Sequence, residues 1–136
     1  MKGVFMRPFG LAFIAIITAA TAAIASERVE RFERSLQMLA PDERLEQLCD
    51  YTAMKRIRKD TAKFRPDRAI ANATAEPHIR NDTIVAKGGA FRSHRKWYAL
   101  SFTCTATPDR MTVLTFHYKI GPEIPQTKWA SDGLWR

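Results

Sequence analysis

Two cysteines, Cys49 and Cys104, and three histidines, His78, His94 and His117, have the widest chemical repertoire in this 136-residue chain. Spacing decides what they can do. A dithiol redox centre takes two cysteines separated by two residues, and this pair is far apart in sequence. A zinc site takes cysteines and histidines in short-spaced pairs, and no two of the histidines are spaced that way. Glycines frame none of Ser35, Ser93, Ser101 or Ser131 as they frame the serine of a nucleophile elbow. Gly88-Gly89 lacks the pattern that completes a phosphate-cradling loop. His117 is left as a general acid or base, which needs an Asp or Glu beside it. A lone histidine on a strand surface is more often solvated, and His117 is read that way. These residues predict no catalytic centre, no metal and no cofactor.

The densest binding signal is Phe91-Arg-Ser-His-Arg-Lys-Trp-Tyr98. Fixed cations interleaved with aromatic rings are the pattern of a surface that holds an anion. Arg92, Arg95, Lys96 and Trp97 are the expected anion-binding residues, on one exposed edge. Strand alternation sets Arg95 and Trp97 on one face and Lys96 and Tyr98 on the other. Lys96 therefore joins the cluster only if the strand starts late or twists at its end. The competing reading is a charged turn leading into a strand whose Trp97 and Tyr98 are structural. The chain as a whole has the matching sign, with 22 Lys and Arg against 14 Asp and Glu, a net charge of +8.

The N-terminus selects among anions. Lys2 and Arg7 precede an apolar run from Phe9, small residues follow from Thr18, and Ala23-Ile24-Ala25 is a small-x-small cleavage site. Residues 1–25 read as a secretory signal peptide, leaving 26–136 as a single periplasmic domain. The alternative is a retained membrane anchor, since the run approaches spanning length, but its Ala- and Thr-rich second half suits a peptidase. Export argues against nucleic acid. It leaves an anionic envelope polymer, or another envelope protein, as the expected partner, with no stable membrane span after cleavage. An oxidising compartment also makes one disulfide, Cys49–Cys104, the simplest use of two cysteines.

The elements that must position these residues follow from periodicity. Hydrophobic content of 46% with 26% charged residues excludes a disordered chain and a collagen-like one. Val29, Phe32, Leu36 and Leu39 form one helical stripe over Glu27–Leu39, with Glu27–Arg31 and Glu30–Arg34 as i,i+4 pairs. Pro41 opens a second helix, with Asp42 and Glu43 at its positive end and Lys55, Arg56, Arg58 and Lys59 at its negative end. Leu45, Leu48, Cys49, Thr52, Ala53 and Ile57 are its buried stripe. Phe64–Asp67 reads as a turn and Arg68–Thr74 as a short Ala-rich helix. Strands are expected at Thr83–Ala86, Arg95–Thr105 and Met111–Ile120, with Gly88-Gly89 as a turn or bulge.

Parity chooses the register of the last two strands, because a one-residue slip would turn every side chain to the other face. Pairing Thr107 with Met111 sets Cys104 opposite Leu114, Phe102 opposite Phe116, Leu100 opposite Tyr118 and Tyr98 opposite Ile120. It requires Arg110 in a left-handed conformation. Cys104 then faces the helices while Cys49 faces the sheet, so two independent periods bring both sulfurs inward. The tail holds two prolines and is expected to pack over the sheet through Ile124, Trp129, Leu134 and Trp135.

The run Leu36-Gln-Met-Leu-Ala-Pro-Asp-Glu-Arg-Leu-Glu-Gln-Leu-Cys-Asp50, with Phe64-Arg-Pro-Asp-Arg68, Gly88-Gly-Ala-Phe-Arg92, Trp97-Tyr-x-Leu-x-Phe-x-Cys104 and Ile124-Pro…Trp129, resembles the domain of unknown function 930 family. The resemblance implies a small exported or membrane-tethered protein of an alphaproteobacterium, supports the cysteine pairing and brings no catalytic residues. The expected fold is α+β: N-terminal amphipathic helices on a small antiparallel sheet, with one disulfide. The expected role is a non-catalytic binding or envelope-maintenance module. The alternatives are an assembly partner of another envelope protein and a small secreted hydrolase.

Overall fold

The computed structural model describes the backbone of residues 12–136 and the side chains of residues 21–136. The start of the expected leader, with Lys2 and Arg7, lies outside the described residues. From Ala12 the backbone is helical and continues without a break through Ser26, so α1 runs Ala12–Gln37. Alanine is the strongest helix former, and nothing in the Ala-rich segment stops the turn. Both expected ion pairs are present, Glu27–Arg31 at 2.9 Å and Glu30–Arg34 at 3.7 Å. No helix among the described residues is long and apolar enough to cross a membrane.

The chain divides into two units at Ser35 and Leu36, and the elements that position a site belong to the second. α2 (Pro41–Asp60) starts on the proline as expected, with both acids in its first turn and Arg58 and Lys59 in its last. Arg44 closes the preceding helix end: its guanidinium donates to the carbonyls of Leu36, Gln37 and Leu39, and to that of Asp109 across the fold. The buried stripe is Leu45, Leu48, Cys49, Asp50, Ala53 and Ile57, so a carboxylate stands where apolar residues were expected.

Five strands form one antiparallel sheet: β1 (Pro66–Ile70), β2 (His78–Arg80), β3 (Thr83–Ser93), β4 (Lys96–Ala106) and β5 (Val113–Glu123). The order is β1-β3-β4-β5, and β2 shares with β1 the outer edge of β3. The expected turn and short helix over residues 64–74 are corrected by β1. Pairing of Arg68, Ala69 and Ile70 with Arg92, Phe91 and Ala90 overrides the weak helical preference of a short Ala-rich segment. Pro66 fits because it opens an edge strand, where a missing N–H costs no central ladder bond. β3 is likewise longer than its expected four residues, since Gly88-Gly89 is a bulge inside it. A Cβ on Gly88 would stand 2.4 Å from the amide nitrogen of Ala75, so only glycine fits the bulge there.

The β4–β5 register keeps the expected faces but is displaced by two residues. Cys104 pairs with Phe116, Phe102 with Tyr118 and Leu100 with Ile120. A register irregularity beside Thr105 and Ala106 takes up the difference, and Leu114 is 61% exposed. Arg110 does adopt a left-handed φ, 57°. Its guanidinium reaches Asp42 at 2.6 Å, Asp82 at 3.3 Å and the Asn81 carbonyl at 2.8 Å, which offsets the backbone cost. The pairing of Tyr98 with Glu123, past a second irregularity, carries β5 to the end of β4.

The two faces of the sheet are covered differently. α2 packs on one, against Ile84, Ala86, Leu100, Phe102, Cys104 and Phe116, all buried. The disulfide Cys49–Cys104 joins this helix to the central strand, with Cα atoms 6.1 Å apart. On the other face the tail covers one end only, where Ala90, Trp97, Ile124, Trp129 and Leu134 form a separate core around α3 (Gln126–Trp129). The far end of that face is uncovered. Thr103 pairs there with His117 and Val85, and Ser101 pairs with Lys119 beside the bulge at Lys87. On the edge strand His78 pairs with Val85 and Arg80 with Thr83.

Candidate functional site

The hairpin joining β3 to β4 has a two-residue loop, since Ser93 pairs with Lys96. Both loop residues, His94 and Arg95, have positive φ, 50° and 64°. That is the twist a tight hairpin needs, but it is normally filled by Gly or Asn. Left-handed backbone under two large side chains is a strained arrangement of the kind that concentrates at functional sites. His94, Arg95 and Lys96 line a concavity of about 320 Å³, with Glu123 from the end of β5 and Gln126, Trp129 and Arg136 from the tail. The tail is held there by the tryptophans. The Trp97 indole donates to the Trp135 carbonyl at 2.8 Å, and the Trp129 indole to the Ile124 carbonyl at 2.9 Å.

Charges in and around this tip are unevenly committed. Lys96 meets Glu123 at 3.2 Å. Arg95 and Arg136 have no acidic partner among the described residues. Arg92 makes two bonds to Asp67, at 2.9 and 3.0 Å, and its guanidinium lies over the Trp97 ring. That pairing holds the Asp67 carboxyl below its usual range. The four residues named from the sequence thus separate. Arg95 and Lys96 are exposed at the tip and share the concavity. Arg92 is neutralised, and Trp97 is wholly buried, so both are structural. The contributions of Glu123, Gln126 and Arg136 have no local signal in the sequence, because Glu123 reaches the tip only through the pairing of β5 with β4, and Gln126 and Arg136 only after the tail folds back over the sheet.

Elsewhere the structure holds one conspicuous buried acid. Asp50 is 4% exposed, and its Oδ1 has no hydrogen-bond partner. Burial and the neighbouring Glu46 push its carboxyl well above the usual range, against a hydrogen bond from the Ala71 amide. Glu46 is itself raised, by burial first and then by Glu76 and Glu43. Among the described residues no group of three or more His, Cys, Asp or Glu is placed to hold a metal ion. His117 pairs with Thr103 and has no carboxylate partner among the described residues.

The model of a family described as Domain of Unknown Function (DUF930) matches residues 36–134. No curated protein and no solved structure matches the chain. The matched stretch covers the second unit except its last two residues, taking in the disulfide, the sheet and most of the tail but not Trp135 or Arg136. This chain belongs to the DUF930 family.

Proposed function

We propose that the protein is an exported, non-catalytic module of the bacterial envelope that grips an anionic group of an envelope polymer at the β3–β4 hairpin tip. The observation behind this reading is the tip itself. Two unpaired arginines, Arg95 and Arg136, line a concavity with His94 and Lys96, on a hairpin that keeps a left-handed backbone beneath large side chains. A non-catalytic role is favoured because Glu123, the one carboxylate among the side chains lining this concavity with His94, is committed to Lys96 at 3.2 Å. Attachment to a partner protein through the Trp-bearing tail has less support, since Trp129 and Leu134 are buried in the tail's own core. Export rests on the leader pattern of residues 1–25, and mass spectrometry of envelope fractions should find a species beginning at Ser26.

The binding test is sedimentation with cell-wall sacculi and with anionic vesicles across a salt series. Arg92 is left intact, because its removal would strand Asp67 and disturb Trp97. The Arg95→Ala/Arg136→Ala chain should lose most of the salt-sensitive binding of the wild type, with two cations near an anionic surface worth about 1 kcal/mol each at low salt. Equal binding by the two proteins would remove the tip from the functional account.

A further inference from the structure

We infer that the uncovered end of the outer sheet face is a second docking surface, and that its occupant is a carboxylate-bearing acidic glycan lying across the strands. The inference rests on the envelope-polymer reading above but uses none of its residues. The strand registers set Arg80 and Lys119 on this face, with His78 and His117 at the two ends of a row through Val85 and Thr103, and Lys87, at the bulge, lines the same depression. All five of these basic residues are exposed. No acid stands at any of the paired positions. Arg80, Lys87, Lys119 and both histidines have no ion-pair or hydrogen-bond partner among the described residues. Some cations of this unit are answered by acids, Lys96 by Glu123, Arg56 by Asp60 and Arg92 by Asp67, but none on this face is. A face that keeps its cations unanswered is complementary to a negatively charged partner.

The shape is an open depression of about 310 Å³ between β3, β4 and β5, with Lys87 and Lys119 on either side of Ser101. Two strand spacings, about 10 Å, separate the backbones that carry them. Between the cations lie the hydroxyls of Ser101 and Thr103. A hydroxyl both donates and accepts, which suits sugar hydroxyls, whereas a bare polyphosphate chain offers only acceptors. The face bears no Phe or Trp ring on which a nucleobase would stack, its only rings among the paired positions being the imidazoles of His78 and His117. It also bears no large exposed apolar side chain to enter a bilayer, Val85 being half-buried. A neighbouring depression of about 410 Å³ shares Lys87 with this face and Glu123 with the tip concavity.

The test uses the full chain and polygalacturonate, titrated at two or more salt concentrations, with polyphosphate of matched charge and anionic vesicles as parallel probes. Three double variants are compared: Lys87→Ala/Lys119→Ala on the face, Arg95→Ala/Arg136→Ala at the tip, and Lys55→Ala/Lys59→Ala on α2, which removes the same charge from elsewhere. The face variant should bind polygalacturonate about tenfold more weakly at low salt and show a shallower salt dependence. The α2 variant should stay within about twofold of the wild type once its equal loss of net charge is spread over a distant surface. Unchanged melting temperatures show that the lysine substitutions leave the fold intact. A face variant that binds like the α2 variant overturns the inference, and if the tip variant alone is impaired the tip reading survives without it. Wild-type preference for polyphosphate or for vesicles over polygalacturonate overturns the assignment of the occupant.

Discussion

Removing the Cys49–Cys104 bridge should lower stability more than any single surface change. The bridge closes 55 residues of sequence separation and ties the middle of α2 to the central strand β4. Loop-closure entropy for that length gives about 4 kcal/mol of stabilisation, within the ~2–5 kcal/mol usually lost when a native disulfide is removed from a small domain. For a domain of this size each kcal/mol moves the melting temperature by about 4–8 °C. The Cys49→Ala/Cys104→Ala chain should therefore melt about 16–32 °C below the oxidised wild type, followed by circular dichroism. Both sulfurs are fully buried, so the small cavities left by alanine act in the same direction. The single variants provide the sharper check. Either one alone destroys the whole bridge, so Cys49→Ala and Cys104→Ala should each cost nearly as much as the double variant. A double variant that melts within a few degrees of the wild type, or singles whose costs simply add, would refute the argument.

Asp50→Asn should change the pH dependence of stability. The folded-state carboxyl is raised by burial, so the folded protein keeps its proton to higher pH than the unfolded chain does. The stability it contributes is complete below the ordinary carboxyl range, about pH 4, and is lost as pH rises through the folded-state titration. Melting curves of variant and wild type should converge near pH 3 and separate towards neutrality with the variant higher; parallel curves would contradict this. Gly88→Ala should cost about 1–3 kcal/mol, because the new Cβ meets the backbone of Ala75, whereas Gly133→Ala meets nothing within 4 Å and should cost only its left-handed backbone. Chemical denaturation of the two variants side by side reads the difference. Trp97→Ala should cost about 3–5 kcal/mol and loosen the tail, seen as faster tryptic cleavage at Lys128 in native buffer.

Elements whose patterns are local were legible in the sequence. Pro41, Asp42 and Glu43 marked the start of α2, and alternation from Tyr98 to Cys104 marked β4. Two different periods pointed both cysteines inward, which is why their pairing was legible without coordinates. The rest depends on contacts between distant segments. A segment as short as Pro66–Ile70 has no period of its own to read, and it became a strand because the free edge of β3 was there to pair with it. The two-residue displacement of β5 was equally hidden, since a shift of two preserves every face and so leaves the hydrophobic pattern unchanged. Charge was the least legible property. Arg92, Arg95 and Lys96 look alike in sequence, yet Asp67 and Glu123, from distant segments, neutralise two of them and leave Arg95 free. The basic sheet face is illegible for the opposite reason: Arg80, Lys87 and Lys119 are scattered along the chain, and only the folded sheet, through its registers and the β3 bulge, gathers them on one face with no acid at the paired positions.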